Sequence, residues 1–175
     1  MTITNSRARA VALLALTLTV IAGCSRDSSP FRRAGGGELN CMERAIFFEA
    51  NRASRPGMIA VGNVVMNRVR SDDFPDTVCG VVSQKNQFAP GVMTRKMNSD
   101  AMPDVREAAV AVLRGERIRE LEKARFFHTY GYRFSYNNMH YVLVAGGNAF
   151  YEKRKKHLVT RPVPPRPIDS HIINY

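Results

Sequence analysis

Between Leu39 and Ala53, Met42, Ile46, Glu49 and Ala53 follow one another at intervals of four, three and four, which lines them along one face of a predicted helix. Glu49 interrupts that otherwise apolar stripe, whereas Glu43 falls elsewhere on the wheel. Pro56, suited to a first helical turn, starts a second helix, "PGMIAVGNVVMNRVR", that runs to about Arg70. The "SDDFPDT" stretch is a loop, and "VCGVVSQ" and "KNQFAPGVM" fit either helix or irregular chain. A third helix, from Pro103 to Leu113, has an apolar face of Val105, Ala108, Ala109 and Val112 and stops at Gly115. Beyond a charged helix or linker, "ARFFHTYGYRFSY" and "HYVLVAGGNAFYEK" have the aromatic and β-branched content of short strands, the second interrupted by Gly-Gly. The proline-rich "TRPVPPRPID" predicts an extended arm over the surface.

Composition fixes the scale. With 175 residues, 45% hydrophobic and 23% charged, the chain suits one globular domain with a real core rather than two. A net charge of +11 favours a polyanionic partner or surface without choosing among nucleic acid, anionic lipid and acidic wall polymer.

The first residues narrow that choice. Arg7 and Arg9 precede the apolar run "AVALLALTLTVIAG", the length of a signal-peptide core and short for a membrane span. It ends in "VIAGC", which resembles a bacterial lipobox, so residues 1–23 are expected to be a signal peptide and Cys24 a lipidated first residue. Residues 24–37, polar and glycine-rich, then form a flexible tether, residues 38–157 the domain, and residues 158–175 the arm. With Cys24 lipidated, Cys41 and Cys79 remain in an oxidising compartment; one disulfide is the economical reading, two buried thiols the alternative.

A carboxylate on an apolar stripe has two explanations. Burial disfavours its charged form and keeps a proton available near neutral pH, which suits a general acid. Alternatively, Glu49 is a core residue neutralised by an arginine such as Arg68.

The segments "AIFFEANRASRPGMIAVGNVVMNRV", "FPDTVCGVVSQKNQF" and "GGNAFY" together resemble the SleB-type (spore-cortex-lytic-enzyme-like) cell wall hydrolases, over roughly residues 39 to 151. That resemblance implies an α+β, lysozyme-like fold, mainly helical with a small antiparallel sheet or hairpin near the C-terminal end. It also implies cleavage of peptidoglycan glycan strands, with the glutamate of the family's E-A motif, here Glu49, as catalytic acid. Cys41 and Cys79 are similar to the disulfide-bearing form of the family from Gram-negative bacteria. Two departures stand out: the family's second glutamate is replaced by Ala53, and its histidine before F-Y by Asn148.

A glycoside hydrolase ordinarily needs two carboxylates. By resemblance, a lytic transglycosylase needs one, which protonates the oxygen between MurNAc and GlcNAc and then helps the MurNAc 6-hydroxyl close a 1,6-anhydro ring. That route is preferred; muramidase-type hydrolysis using Asp72, Asp73 or Asp76 is the alternative, although loop aspartates are commonly turn formers. Asn67 and Arg68 either orient Glu49 or end their helix. Gln87 and Phe88, at the family's Q-F, suit a sugar's hydroxyls and apolar face or pack in a loop. His128 and Tyr151 either line the cleft or pack among aromatics.

Rival classes fare worse. The histidines show no pair of the H-E-x-x-H kind, so neither a metal nor another cofactor is expected. A cysteine peptidase would need a free thiol. A non-catalytic peptidoglycan-binding lipoprotein remains the alternative from another class, and nucleic acid is disfavoured by export. The expected partners are peptidoglycan and, through Cys24, a membrane. Ser25 is not the aspartate that resemblance to enteric lipoproteins links to inner-membrane retention, so the expected location is the outer membrane, facing the periplasm.

Overall fold

The computed structural model describes residues 36–169. The expected signal peptide, Cys24, most of the tether and the last residues of the arm lie outside them. Helix α1 spans Gly36–Ala50, α2 Arg55–Val69, α3 Val78–Val82 and α4 Met102–Leu113; strands β1 (Phe126–Thr129), β2 (Met139–Ala145) and β3 (Asn148–Lys153) follow. A mainly helical body with a small antiparallel sheet towards the C-terminal end is the expected α+β class.

Boundaries differ from the sequence reading for physical reasons. Helix α1 takes Gly36 and Gly37 from the expected tether because the Glu38 carboxylate is tied down: it accepts the backbone N–H groups of Val78 at 2.7 Å and Cys79 at 3.4 Å, at the start of α3. The same end of α1 is joined to α3 by a disulfide between Cys41 and Cys79, whose Cα atoms are 5.1 Å apart. Helix α1 ends at Ala50 rather than Ala53, because a turn hands over to Ser54, whose hydroxyl caps α2 by accepting the Gly57 N–H.

Helix α2 is buried along almost its whole length, so it shows little amphipathic pattern. It lies at the centre, with α1, α3 and α4 packed around it. The core gathers Met42, Ala45 and Ile46 from α1, Ile59, Val61, Val64 and Val65 from α2, and Val105, Ala108 and Val112 from α4. Glu43, which the wheel puts off the stripe, is also buried and pairs with Arg106 of α4. Because α1 packs against both α2 and α4, its buried face is wider than one stripe.

The sheet has strand order β1-β3-β2, all antiparallel. Gly146 and Gly147 both take positive φ, as the two central residues of a tight hairpin require, so the expected interruption is the turn between β2 and β3. A bulge between Tyr141 and Leu143 breaks the alternation of β2. Val142 and Leu143 both reach the helical core, while Met139, Tyr141 and Val144 form a second small cluster on the sheet's other side. The expected strand "ARFFHTYGYRFSY" pairs only as far as Thr129; Gly131, at φ +97°, turns the chain away and the following aromatics form a loop.

The arm lies along the free edge of β2. The Tyr141 N–H donates to the Arg161 carbonyl, and the Ile168 N–H to the Val144 carbonyl, satisfying groups that an open edge would expose. Buried Asp169 then accepts the Gly146 N–H and the Ser54 hydroxyl. The chain end thereby fastens the hairpin turn to the cap of α2. The contact is so close that a Cβ on Gly57 would lie 2.5 Å from the Gly146 Cα.

Candidate active site

Glu49 is the penultimate residue of α1. There the unpaired carbonyls of the helix end disfavour a negative charge, and partial burial does the same. Its Oε1 accepts the Ala89 backbone N–H at 2.7 Å. Burial raises the Glu49 pKa, and the Ala89 hydrogen bond and the Arg68 charge only partly oppose it. Among the described residues Glu49 makes no ion pair.

Arg68, also penultimate in its helix, is buried. Its guanidinium carbon lies 5.2, 5.4 and 5.8 Å from the ring centres of Phe74, Phe88 and Phe126, a cage that supports a cation through ring faces. Nε donates to the Arg125 carbonyl at 2.8 Å, while buried Nη1 has no partner among the described residues. Desolvation pulls the Arg68 pKa down to about 10, opposed by Tyr151 and Glu49, so the side chain stays cationic at neutral pH.

Both residues line a cleft of about 420 Å³ between the 86–89 turn and strand β1 with its following loop. Gln87, Phe88 and His128 line it too. His128 Nε2 lies 2.9 Å from the Tyr141 hydroxyl, and Nδ1 2.9 Å from the Thr129 carbonyl; Nδ1 must therefore donate, and in the neutral ring Nε2 accepts from tyrosine. Tyr151 stands just behind, its ring centre 5.8 Å from that of His128. Asn67 is elsewhere: its amide donates to the Leu121 and Ala124 carbonyls at 2.6 and 2.8 Å, which fixes the segment leading into β1.

Among the described residues Glu49 is the one carboxylate lining this cleft. Asp73 is paired with Arg125 at 2.7 Å, and Asp72 lines a separate charged cavity with Arg70 and Lys123. Ala53 lies at the junction of α2 with the hairpin turn rather than in the cleft.

Sequence reasoning missed several participants. The Ala89 donor is a backbone group, which residue type cannot announce. Asn86, at φ +61°, shapes the cleft lip in the left-handed region that asparagine tolerates. Asn148, noticed only as a departure, donates from its amide to the Glu49 carbonyl at 3.3 Å and so ties the end of α1 to β3.

The chain matches the cell wall hydrolase family over residues 52–151. It is similar to the spore cortex-lytic enzyme of Oceanobacillus iheyensis, with 33% identity over 81 residues, which make up 45% of this chain and 28% of that protein. Its fold is similar to the catalytic domain of the germination-specific lytic transglycosylase SleB from Bacillus anthracis, with TM-score 0.57 and 20% identity, covering 68% of this chain and 97% of that one. The catalytic domain of the Bacillus cereus SleB protein matches equally, with TM-score 0.57 and 20% identity over 67% of this chain and 91% of that one. Glu49 lies just outside the family match, so its role rests on the cleft.

Proposed function

Since this chain belongs to the cell wall hydrolase family, we propose that it cleaves peptidoglycan glycan strands between MurNAc and GlcNAc as a lytic transglycosylase, with Glu49 as acid and then base. The observation that carries this reading is a lone glutamate, held by a backbone N–H, in a cleft that no second carboxylate lines among the described residues.

Burial shifts Glu49 towards its protonated form, and that form donates its proton to the glycosidic oxygen as the bond to MurNAc C1 breaks. The carboxylate left behind is stabilised by the Ala89 N–H and the nearby Arg68 cation. It then takes the proton of the MurNAc 6-hydroxyl as that oxygen bonds to C1. The ring closes, Glu49 is protonated again and no water is consumed. Direct hydrolysis ordinarily uses a second carboxylate, as nucleophile or as base for water, and among the described residues none lines the cleft.

Membrane attachment through lipidated Cys24 and a periplasm-facing place on the outer membrane belong to the same proposal, supported by "VIAGC" and Ser25. Mass spectrometry of muropeptides released from purified sacculi tests the chemistry. Products ending in 1,6-anhydro-MurNAc are expected; reducing ends, heavier by one water, would assign hydrolysis instead.

A further inference from the structure

All the large apolar side chains that the described residues expose fall between Tyr130 and Ile168. Four of them, Tyr130, Tyr132, Phe134 and Tyr136, alternate along the loop after β1, with Tyr132 66% and Tyr136 69% exposed. Tyr130, Tyr132, Phe134 and Val163 meet around one groove, and exposed apolar side chains gathered in this way mark a contact surface. The loop is organised: Phe134 and Tyr136 stack with ring centres 5.9 Å apart and planes 13° apart, and His128 meets Phe134 edge-on at 4.8 Å.

Tyr130, Tyr132 and Phe134 form one wall of a groove of about 260 Å³, whose other wall is Pro162, Val163 and Pro164 of the arm. That second wall is fixed to β2 by the Tyr141–Arg161 and Val144–Ile168 backbone hydrogen bonds. Tyr132 and Phe134 line both this groove and the Glu49 cleft, so the two adjoin. The arm lies beyond the segment that matches the family.

We propose that the groove is a second carbohydrate subsite, which takes the same glycan strand beyond the bond cleaved at Glu49; the inference rests on the peptidoglycan reading. Sugar rings present apolar C–H faces and hydroxylated edges. Tyrosine rings match both with little conformational freedom to lose, and proline faces add a rigid apolar wall. Arg133, which also lines the groove, provides donors for acetamido and lactyl oxygens. The wall shared with the cleft favours a strand running across both over a flat lipid surface. The consequence is a preference for long strands over short oligosaccharides.

The test measures binding of the full chain, carrying Glu49→Gln to silence turnover, to long peptide-free glycan strands and to a tetrasaccharide of the same repeat. Long strands should bind more tightly. Adding Tyr130→Ala and Val163→Asp should cut the long-to-short affinity ratio about tenfold, the order expected for truncating an aromatic anchor. Tyr130→Phe should keep the ratio. Val163→Asp alone, at a side chain 71% exposed, should also lower it and is compatible with folding if the double variant melts early. An unchanged ratio in folded variants overturns the subsite. So does an unchanged ratio accompanied by loss of binding to anionic phospholipid vesicles, which would assign the surface to membrane. A parent that binds both ligands equally well overturns the subsite alone; one that binds neither overturns the peptidoglycan reading with it.

Discussion

Helix α1 carries two carboxylates whose surroundings differ. Glu43 is 5% exposed and bonds Arg106 Nη1 at 2.8 Å, an arginine whose side chain is 63% exposed. Glu49 is less buried, opens onto a cleft, and is held by a peptide N–H with its nearest functional cation, Arg68, unpaired to it. Burial alone therefore does not mark the reactive group. A buried carboxylate tied to a cation already has its partner; one placed at a helix end, with a neutral donor and an open side, can hold a proton and give it away.

Substituting each carboxylate separates the two places most strongly. Glu49→Gln should leave the melting temperature close to wild type and lower glycan cleavage by about 10²–10⁴-fold or more, as loss of a general acid does. Near wild-type release of muropeptides by this variant would remove Glu49 from the mechanism. Glu43→Gln should do the reverse, with cleavage per folded molecule retained and stability reduced by about 1–2 kcal/mol, the value of a charge-assisted hydrogen bond whose arginine can return to water.

The disulfide bears on the frame both carboxylates share. It fastens the start of α1 to α3, and α3 leads into the turn that presents Ala89 to Glu49. Cys41→Ser should cost about 3–4 kcal/mol in the loop-entropy account, and cleavage should fall with it because the donor and the acid are held by the same clamp. Thermal melts and sacculus clearing on oxidised and reduced protein check this; stability lost without activity would uncouple the clamp from the site.

Arg106→Ala tests the Glu43 end from the other side. It strands a buried carboxylate, and although such a loss can cost about 3–5 kcal/mol, solvent beside the exposed arginine reduces the expectation to about 2 kcal/mol. Denaturant unfolding should thus rank Arg106→Ala at or below Glu43→Gln in stability. The opposite order would mean that the pair contributes little.

Much of this frame could be read from the chain because it depends on local spacing. The stripe of Met42, Ile46 and Glu49, the proline at the start of α2 and the Gly-Gly interruption that proves to be the hairpin turn are patterns of near neighbours. What escaped depends on distant segments meeting. The Arg68 cage takes Phe74, Phe88 and Phe126 from three places, and the burial of Glu43 requires α4 to pack beside α1. The loop after Thr129 carries the alternating aromatics of a strand, yet β1 pairs on one side only and Gly131 turns the chain out. Asn67 illustrates the converse: it shares a helix end with Arg68 but spends its amide on two carbonyls remote from the cleft.

The smallest expected effect concerns pH. Burial raises the Glu49 pKa while Arg68 pulls it down, so removing the cation with Arg68→Met should raise it further. Cleavage requires the protonated acid, so the descending alkaline limb of kcat/KM should move to higher pH, provided the variant remains folded. A limb that stays in place would mean that Arg68 does not act on Glu49 through its charge. Stability gives the same sign without relying on turnover. A carboxyl group whose folded pKa is raised binds its proton more tightly in the native state, so its contribution is complete below the ordinary carboxylate range, near 4.3, and is lost as pH rises through the raised value. The stability of wild type relative to Glu49→Gln should therefore fall across that window. A difference that stayed flat across that window would mean that burial does not hold the proton on Glu49.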